Sequence, residues 1–226
     1  MKKEIEYLTQ AVANPRRPYV AILGGAKISG KIDVIQNLLP KVDVLVIGGG
    51  MAFTFFRAQE LEVGDSLVEQ EKVQLAKEIL EHIKEKNRRV ILPIDCIIAD
   101  KFDNNAQRKT VPVNKIPAGW RGLDIGPETI KLIKLQMKGA KTIIWNGPMG
   151  VVEMPNFANG TLEIAKLLAE ATTSGATTIV GGGDSAAAVV QMGFESSISH
   201  VSTGGGASLE FLEGKQLPGL AALDTK

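Results

Sequence analysis

Tyr19-Val-Ala-Ile-Leu23 runs directly into Gly24-Gly25. Five apolar residues without alternation read as a strand covered on both faces, and the glycines end it. The same grammar recurs along the chain. Val42 to Ile47 stops at Gly48-Gly49-Gly50, and Thr142-Ile-Ile-Trp145 stops at Asn146-Gly-Pro148. Thr177-Thr-Ile-Val180 stops at Gly181-Gly-Gly183, and His200-Val201 is soon followed by Gly204-Gly-Gly206. Val90 to Ile94 and Cys96 to Ile98 are further strand candidates, and residues 100–126 read as mostly loop and short strand.

Helical patterns lie between the strands. A stretch from Lys3 to Asn14 ends at Pro15-Arg-Arg-Pro18. Ser29 to Leu39 puts Ile32, Ile35 and Leu39 on one face, and a turn spans Met51 to Arg57. Ser66-Leu-Val-Glu69 reads as a capping box that opens a helix to Lys86, with Ala76, Ile79, Leu80 and Ile83 as its stripe. Glu128 to Lys138, Thr161 to Thr173 before Gly175, Ser185 to Met192 and a last turn over Ser208 to Leu212 complete the set. Strands alternating with helices predict an α/β fold, a Rossmann-like three-layer α/β/α domain with a mostly parallel sheet of about six strands. No linker or shift of composition divides the chain, so residues 1–226 read as one domain.

Composition narrows the function. The chain has 226 residues and a net charge of +1, so it carries neither the basic footprint of a nucleic-acid binder nor an acidic tail. One cysteine, Cys96, excludes an intrachain disulfide and a cysteine-built zinc site, and two histidines leave little for a metal centre. No apolar run is long enough for a membrane span, and MKKEIEYL has no signal-peptide core. A soluble, cytoplasmic monomer with no nucleic-acid or membrane partner is the expectation. Glycine is abundant, at 24 residues, above the ~7% of average usage.

The glycine clusters carry the chemistry. In an open parallel sheet the carboxyl ends of the strands share one edge, where ligands bind. Glycine lets backbone N–H groups approach an anion, and a following helix adds its positive end. A single cluster is a tight turn; several on one edge favour a phosphate-bearing ligand. Gly25-Ala-Lys-Ile-Ser-Gly-Lys31 copies most of a P-loop, but Ile32 stands where that motif needs a hydroxyl for Mg²⁺. The match is therefore coincidental, although Lys27 and Lys31 beside a glycine turn suit phosphate oxygens. Asp184 and Ser185 follow three glycines at a helix start, as caps or as ligands of Mg²⁺ and phosphate. Asn146 and Glu153 suit phosphate or ribose, with plain turn chemistry as the alternative. His82 is expected to face solvent, His200 to be structural, Cys96 to be an inert core thiol and Trp120 to pack under a loop.

At these residues the sequence resembles the phosphoglycerate kinases. The resemblance is carried, in order, by Leu23-Gly-Gly-Ala-Lys-Ile-Ser-Gly-Lys-Ile32, Ile47-Gly-Gly-Gly-Met-Ala-Phe-Thr-Phe55 and Gly122-Leu-Asp-Ile-Gly-Pro127. It continues through Trp145-Asn-Gly-Pro-Met-Gly-Val151, Gly181-Gly-Gly-Asp-Ser185 and Ser199 to Glu210. What it implies is the nucleotide-binding, carboxy-terminal domain of such an enzyme. Residues 1–14 would belong to the interdomain helix, Met1 would be an introduced start, and the amino-terminal domain that holds 3-phosphoglycerate would be absent. The reaction implied is reversible phosphoryl transfer between 1,3-bisphosphoglycerate and ADP in glycolysis, with Mg²⁺ as cofactor and ADP or ATP as substrate. By the same resemblance, Gly25, Ala26, Gly49, Gly122 and Leu123 line the adenine and ribose pocket, with Pro148 beside it and Glu153 on the ribose. Lys27, Lys31 and Asn146 correspond to phosphate ligands, Asp184 to the residue at the magnesium, and Gly182, Gly183 and Ser185 to the phosphate-binding helix start. Lys31 would stabilise the moving phosphoryl group, which the turn containing Gly205 and Gly206 would face. Gly30 departs from the family, which often has Asp there. A fragment of this kind is expected to bind nucleotide without catalysing transfer. A P-loop-like NTPase and a non-catalytic nucleotide-binding module are the other classes weighed.

Overall fold

The computed structural model describes residues 14–86, 89–202, 204, 210 and 212–215. The expected helix over 3–14, apart from Asn14, and most of the turn over 208–212 lie outside them, as do Gly205 and Gly206.

The strands are β1 (Tyr19–Leu23), β2 (Val44–Ile47), β3 (Arg89–Ile91), β4 (Asp95–Ala99), β5 (Arg108–Pro112), β6 (Arg121–Ile125), β7 (Thr142–Asn146), β8 (Thr177–Gly181) and β9 (His200–Val201). The helices are α1 (Ile32–Leu38), α2 (Ala52–Ala58), α3 (Val73–Glu85), α4 (Pro127–Met137), α5 (Asn159–Thr173) and α6 (Gly183–Gln191). Six strands form one sheet in the order β3-β2-β1-β7-β8-β9. Every pairing in it is parallel.

β1 shows why an unbroken apolar run was needed. Its residues are all fully buried, and they alternate between two cores. Tyr19, Ala21 and Leu23 face a core closed by Ile35 and Leu38 of α1, Phe55 of α2 and Ile79 of α3. Val20 and Ile22 face a core closed by Ile133 of α4, Ile164 and Leu168 of α5, and Val189 of α6. Helices therefore cover both faces, and the α/β reading of the sequence holds.

Residues 100–126 are loop and short strand as read, and their two strands, β5 and β6, flank β4 in a separate antiparallel sheet. β5 is Arg-Lys-Thr-Val-Pro and largely exposed, so it lacks the apolar signature that revealed the central strands. The Ser66–Glu69 capping box does not form. α3 begins at Val73 behind a single 3₁₀ turn over Gln70–Lys72. Ser66 Oγ instead accepts the Gly122 N–H at 2.9 Å, and Glu69 binds the Ser29 hydroxyl at 2.6 Å and its N–H at 3.1 Å. Both side chains tie distant segments together, and Ser29 is thereby kept out of α1.

α4 is capped from the sheet rather than from its own sequence. Its N-cap, Gly126, offers no side chain. The buried Asp95 of β4 accepts the N–H groups of Glu128 and Thr129 at 3.0 and 2.7 Å and the Thr129 hydroxyl at 2.6 Å. Asp95→Ala removes a cap and leaves buried donors unpaired, so it should cost about 1–3 kcal/mol. Urea midpoints of the two proteins measure this, and an unchanged midpoint would show that the cap contributes nothing.

Candidate functional site

β1 and β7 are neighbours, yet the chain leaves them in opposite directions across the sheet. This is the topological switch point, where the crevice beyond the strand ends opens. The two following turns are bonded together: Gly24 N–H donates to Asn146 O at 2.9 Å, and Gly25 N–H to Pro148 O at 2.8 Å. The turn after β2 joins them. Gly49 has φ of +65°, and a Cβ there would meet backbone atoms of Gly25 at 2.6 Å and of Pro148 at 2.8 Å. No side chain fits between these three turns.

A cleft of about 460 Å³ lies above them. Gly25, Ala26, Gly49, Pro148 and Asp184 line one end. Gly122, Leu123 and the exposed Glu153 line its wall. These eight are the sequence-expected residues that the fold gathers around the cavity. Gly122 is held against the Phe53 ring, which a Cβ would overlap. Val151 N–H donates to Leu123 O at 3.0 Å, which ties the loop bearing Glu153 to β6 in one wall.

Lys31, Asn146, Gly182, Gly183 and Ser185 stand beside the cleft rather than in its lining. The Lys31 ammonium donates to Asn146 Oδ1. Burial pulls this lysine down to about 8, opposed by the charges of Asp184 and Glu213, so it remains a cation at neutral pH. Asn146 is fully buried, and its Nδ2 finds no partner among the described residues. Gly182 sits next to that amide, and α6 starts at Gly183. The first N–H groups of a helix have no acceptor within it. Ser185 Oγ is already engaged, accepting the Gly147 N–H at 2.9 Å and donating to Gly181 O at 2.8 Å. It clamps the turns after β7 and β8, which leaves its backbone N–H as the group it offers.

Lys27 is exposed and absent from the cleft lining. It lies near Glu69, where burial pushes the carboxyl up but bonds from Ser29 and Ile28, with Lys27, outweigh it and hold it below its ordinary value. No group of three or more His, Cys, Asp or Glu side chains forms a metal centre among the described residues. A magnesium ion held by one carboxylate, phosphate oxygens and water fits the exposed Asp184 at the start of α6. His82 is exposed, and the buried Cys96 thiol is pushed up to about 12 by its burial and by Asp95. The half-buried Trp120 ring carries the Lys109 ammonium 4.1 Å from its centroid.

Several lining residues escaped sequence reasoning. Phe53, Leu67 and Phe102 give the cleft apolar surface, Asp65 and Arg121 give it charge, and Asp124 gives it a buried, titratable carboxyl. In this part of the wall, Gly122 and Leu123 are reached only through the family resemblance, although a glycine within a strand is itself a sign of close approach.

The phosphoglycerate kinase family model matches residues 1–215. The chain belongs to the phosphoglycerate kinase family. It is 59% identical over 221 residues to the phosphoglycerate kinase of Chloroherpeton thalassium, covering 98% of this chain and 56% of that protein. It is 57% identical over 224 residues to the cytosolic phosphoglycerate kinase of Triticum aestivum, covering 99% and 56%. The phosphoglycerate kinase structure from Coxiella burnetii superposes with a TM-score of 0.93 at 42% identity, over 98% of this chain and 57% of that one. That from Pyrococcus horikoshii gives 0.84 at 32% identity, over 99% and 56%. The chain thus spans little more than half the length of these phosphoglycerate kinases. No helix among the described residues is long and apolar enough to cross a membrane.

Asp124 gives the cleft wall a pH dependence. It is buried, and its carboxylate accepts the Gly160 N–H at 2.8 Å and the Ile125 N–H at 2.9 Å. Burial pushes it up to about 7, and the N–H bonds from Gly160, Ile125 and Asn159 only partly offset this. The unfolded chain loses this proton near pH ~3.9, the folded chain near 7. Between these values the folded state holds more protons, so the group's contribution to stability falls as pH rises. The stability advantage of the native protein over Asp124→Asn should therefore shrink between pH 5 and pH ~8. Urea melts at both pH values test this; a constant difference would refute it.

Proposed function

We propose that this chain is the nucleotide-binding, carboxy-terminal half of a phosphoglycerate kinase, binding ADP or ATP at the switch-point cleft. The observation that carries the reading is the cluster beside the cleft: the Lys31 ammonium on Asn146, the unpartnered Asn146 Nδ2 and the start of α6. A buried amide donor without an acceptor is costly, and a phosphate oxygen supplies one. Family membership supports the same reading.

In this reading the base lies against Gly122 and Leu123, and Glu153 accepts a ribose hydroxyl. The α- and β-phosphates approach Asn146 and the N–H groups of Gly183, Asp184 and Ser185, where the helix end favours negative charge. Lys27 reaches the phosphates from the exposed rim. Mg²⁺, when bound, neutralises charge on the phosphates, and Asp184 is the residue that holds it. Lys31 donates to the equatorial oxygens of the group in flight, a step in which the family resemblance also gives Gly205 and Gly206 a part. Little covalent work falls to the protein; orientation and charge neutralisation lower the barrier. The acceptor, 3-phosphoglycerate, is held by the amino-terminal half, and closure of the two halves excludes water. The protein works as a monomer in the cytoplasm.

Calorimetry tests the site. Mg-ADP should bind saturably to this chain, and Asp184→Ala should weaken Mg-ADP by about tenfold, the scale of one charge-assisted contact, while metal-free ADP changes little. Equal losses would reduce Asp184 to a favourable charge in the first turn of α6, whose N-cap is Gly182 and not Asp184. A coupled assay tests the division of labour. Holding two reactants in line is worth up to ~7–11 kcal/mol. With ATP and 3-phosphoglycerate this chain should read background, and turnover within about tenfold of a full-length family member would place the acceptor site here.

A further inference from the structure

We propose that Arg121 reads the edge of the purine base and turns this cleft toward 6-oxopurine nucleotides. The inference rests on the cleft being a nucleotide site. Its lining among the described residues contains the carboxylates of Asp65, Asp124, Glu153 and Asp184 but a single cation, Arg121. That cation lies on the β6 wall beside Gly122, not among Lys31, Asn146 and the start of α6. Asp65 N–H donates to Trp120 O at 2.8 Å and Gly122 N–H to Ser66 Oγ at 2.9 Å, so residues 65–66 lie against 120–122. Asp184 and Lys31 instead lie near one another, at the starts of α6 and α1, with Lys31 on the Asn146 amide. A nucleotide whose phosphates meet α6 and whose base meets Gly122 brings the base edge, not the phosphates, to Arg121.

The guanidinium is underused in the protein. Its Nη2 is 3.8 Å from Asp65 Oδ2, beyond hydrogen-bond length. Its Nε is buried and without a partner among the described residues. Asp65 Oδ1 already accepts the Gly119 N–H at 3.2 Å. The side chain retains about a third of its exposure, at 34%. Arginine only donates, through a planar fork. A 6-oxopurine presents N7 and O6 as adjacent acceptors, which such a fork matches in pairs, whereas adenine sets an N6 donor beside N7. Asp65, next to Arg121, can accept the ring N1–H that a 6-oxopurine carries and adenine lacks.

The test is calorimetry on this chain with Mg-GDP and Mg-ADP, for the native protein, Arg121→Met and Arg121→Lys. The native protein should bind Mg-GDP at least as tightly as Mg-ADP. Arg121→Met should weaken Mg-GDP about tenfold, the scale of one bidentate base contact, and leave Mg-ADP within about twofold. Arg121→Lys keeps the charge but not the fork, and should resemble the Met variant. Equal losses for both nucleotides, or full retention of Mg-GDP binding by the Lys variant, would overturn the proposal. So would native Mg-GDP binding more than about tenfold weaker than Mg-ADP, a comparison that needs no variant to fold. Binding of neither nucleotide by the native chain overturns the nucleotide reading itself. Binding of ADP with an unaltered GDP-to-ADP ratio in the variants overturns only the role of Arg121.

Discussion

The hydrogen-bonded contact between the turns after β1 and β7 is the constraint on which the rest depends. Gly24 and Gly25 donate to Asn146 and Pro148, and this fixes the height of the cleft floor. From that seam everything functional is placed by short connections. Lys31 reaches Asn146 because the turn after β1 lies on the turn after β7. Ser185 reaches Gly147 because β8 lies beside β7. Gly49 must be glycine because its turn is the third body in the same contact. Loosening the seam would separate the lysine, the amide and the helix start together.

The central strands were legible in the sequence because their environment is uniform. A strand buried on both faces must be apolar at every position, and β1, β2 and β7 are nearly so. The helices read well where one face meets the sheet: Ala76, Ile79 and Ile83 of α3 are buried as their spacing requires. The small sheet was hidden because β5 solves a different problem. As an exposed edge strand it carries Arg108 and Lys109, which discourage pairing with other chains, and charge erases the apolar pattern. Ser66 and Glu69 misled for a related reason. Residues fit to cap a helix are equally fit to bridge loops, and only tertiary placement decides between the two uses.

The site was legible at its backbone and dim at its side chains. Glycines that permit close approach are visible in sequence, because few other residues tolerate the geometry. Asp124 and Asp95 look like ordinary strand polars, yet each is buried and bonded to the first turn of a helix far along the chain. Arg121 gives no signal of its own; its position at the cleft follows from the pairing of β6 with β4 and the strapping of residues 65–66 across it.

The position of β1 at the centre of the large sheet also bears on how the chain reaches its fold. β1 pairs with β2 soon after both exist, but its other edge waits for β7, with Tyr19 meeting Thr142. During synthesis from the amino end, a strand buried on both faces therefore keeps one row of backbone N–H and C=O groups open until β7 has been made. Long-range pairing of this kind slows folding, and open apolar edges invite association with other nascent chains. The arrangement that builds the cleft floor thus makes the chain's early life the period of greatest exposure to aggregation.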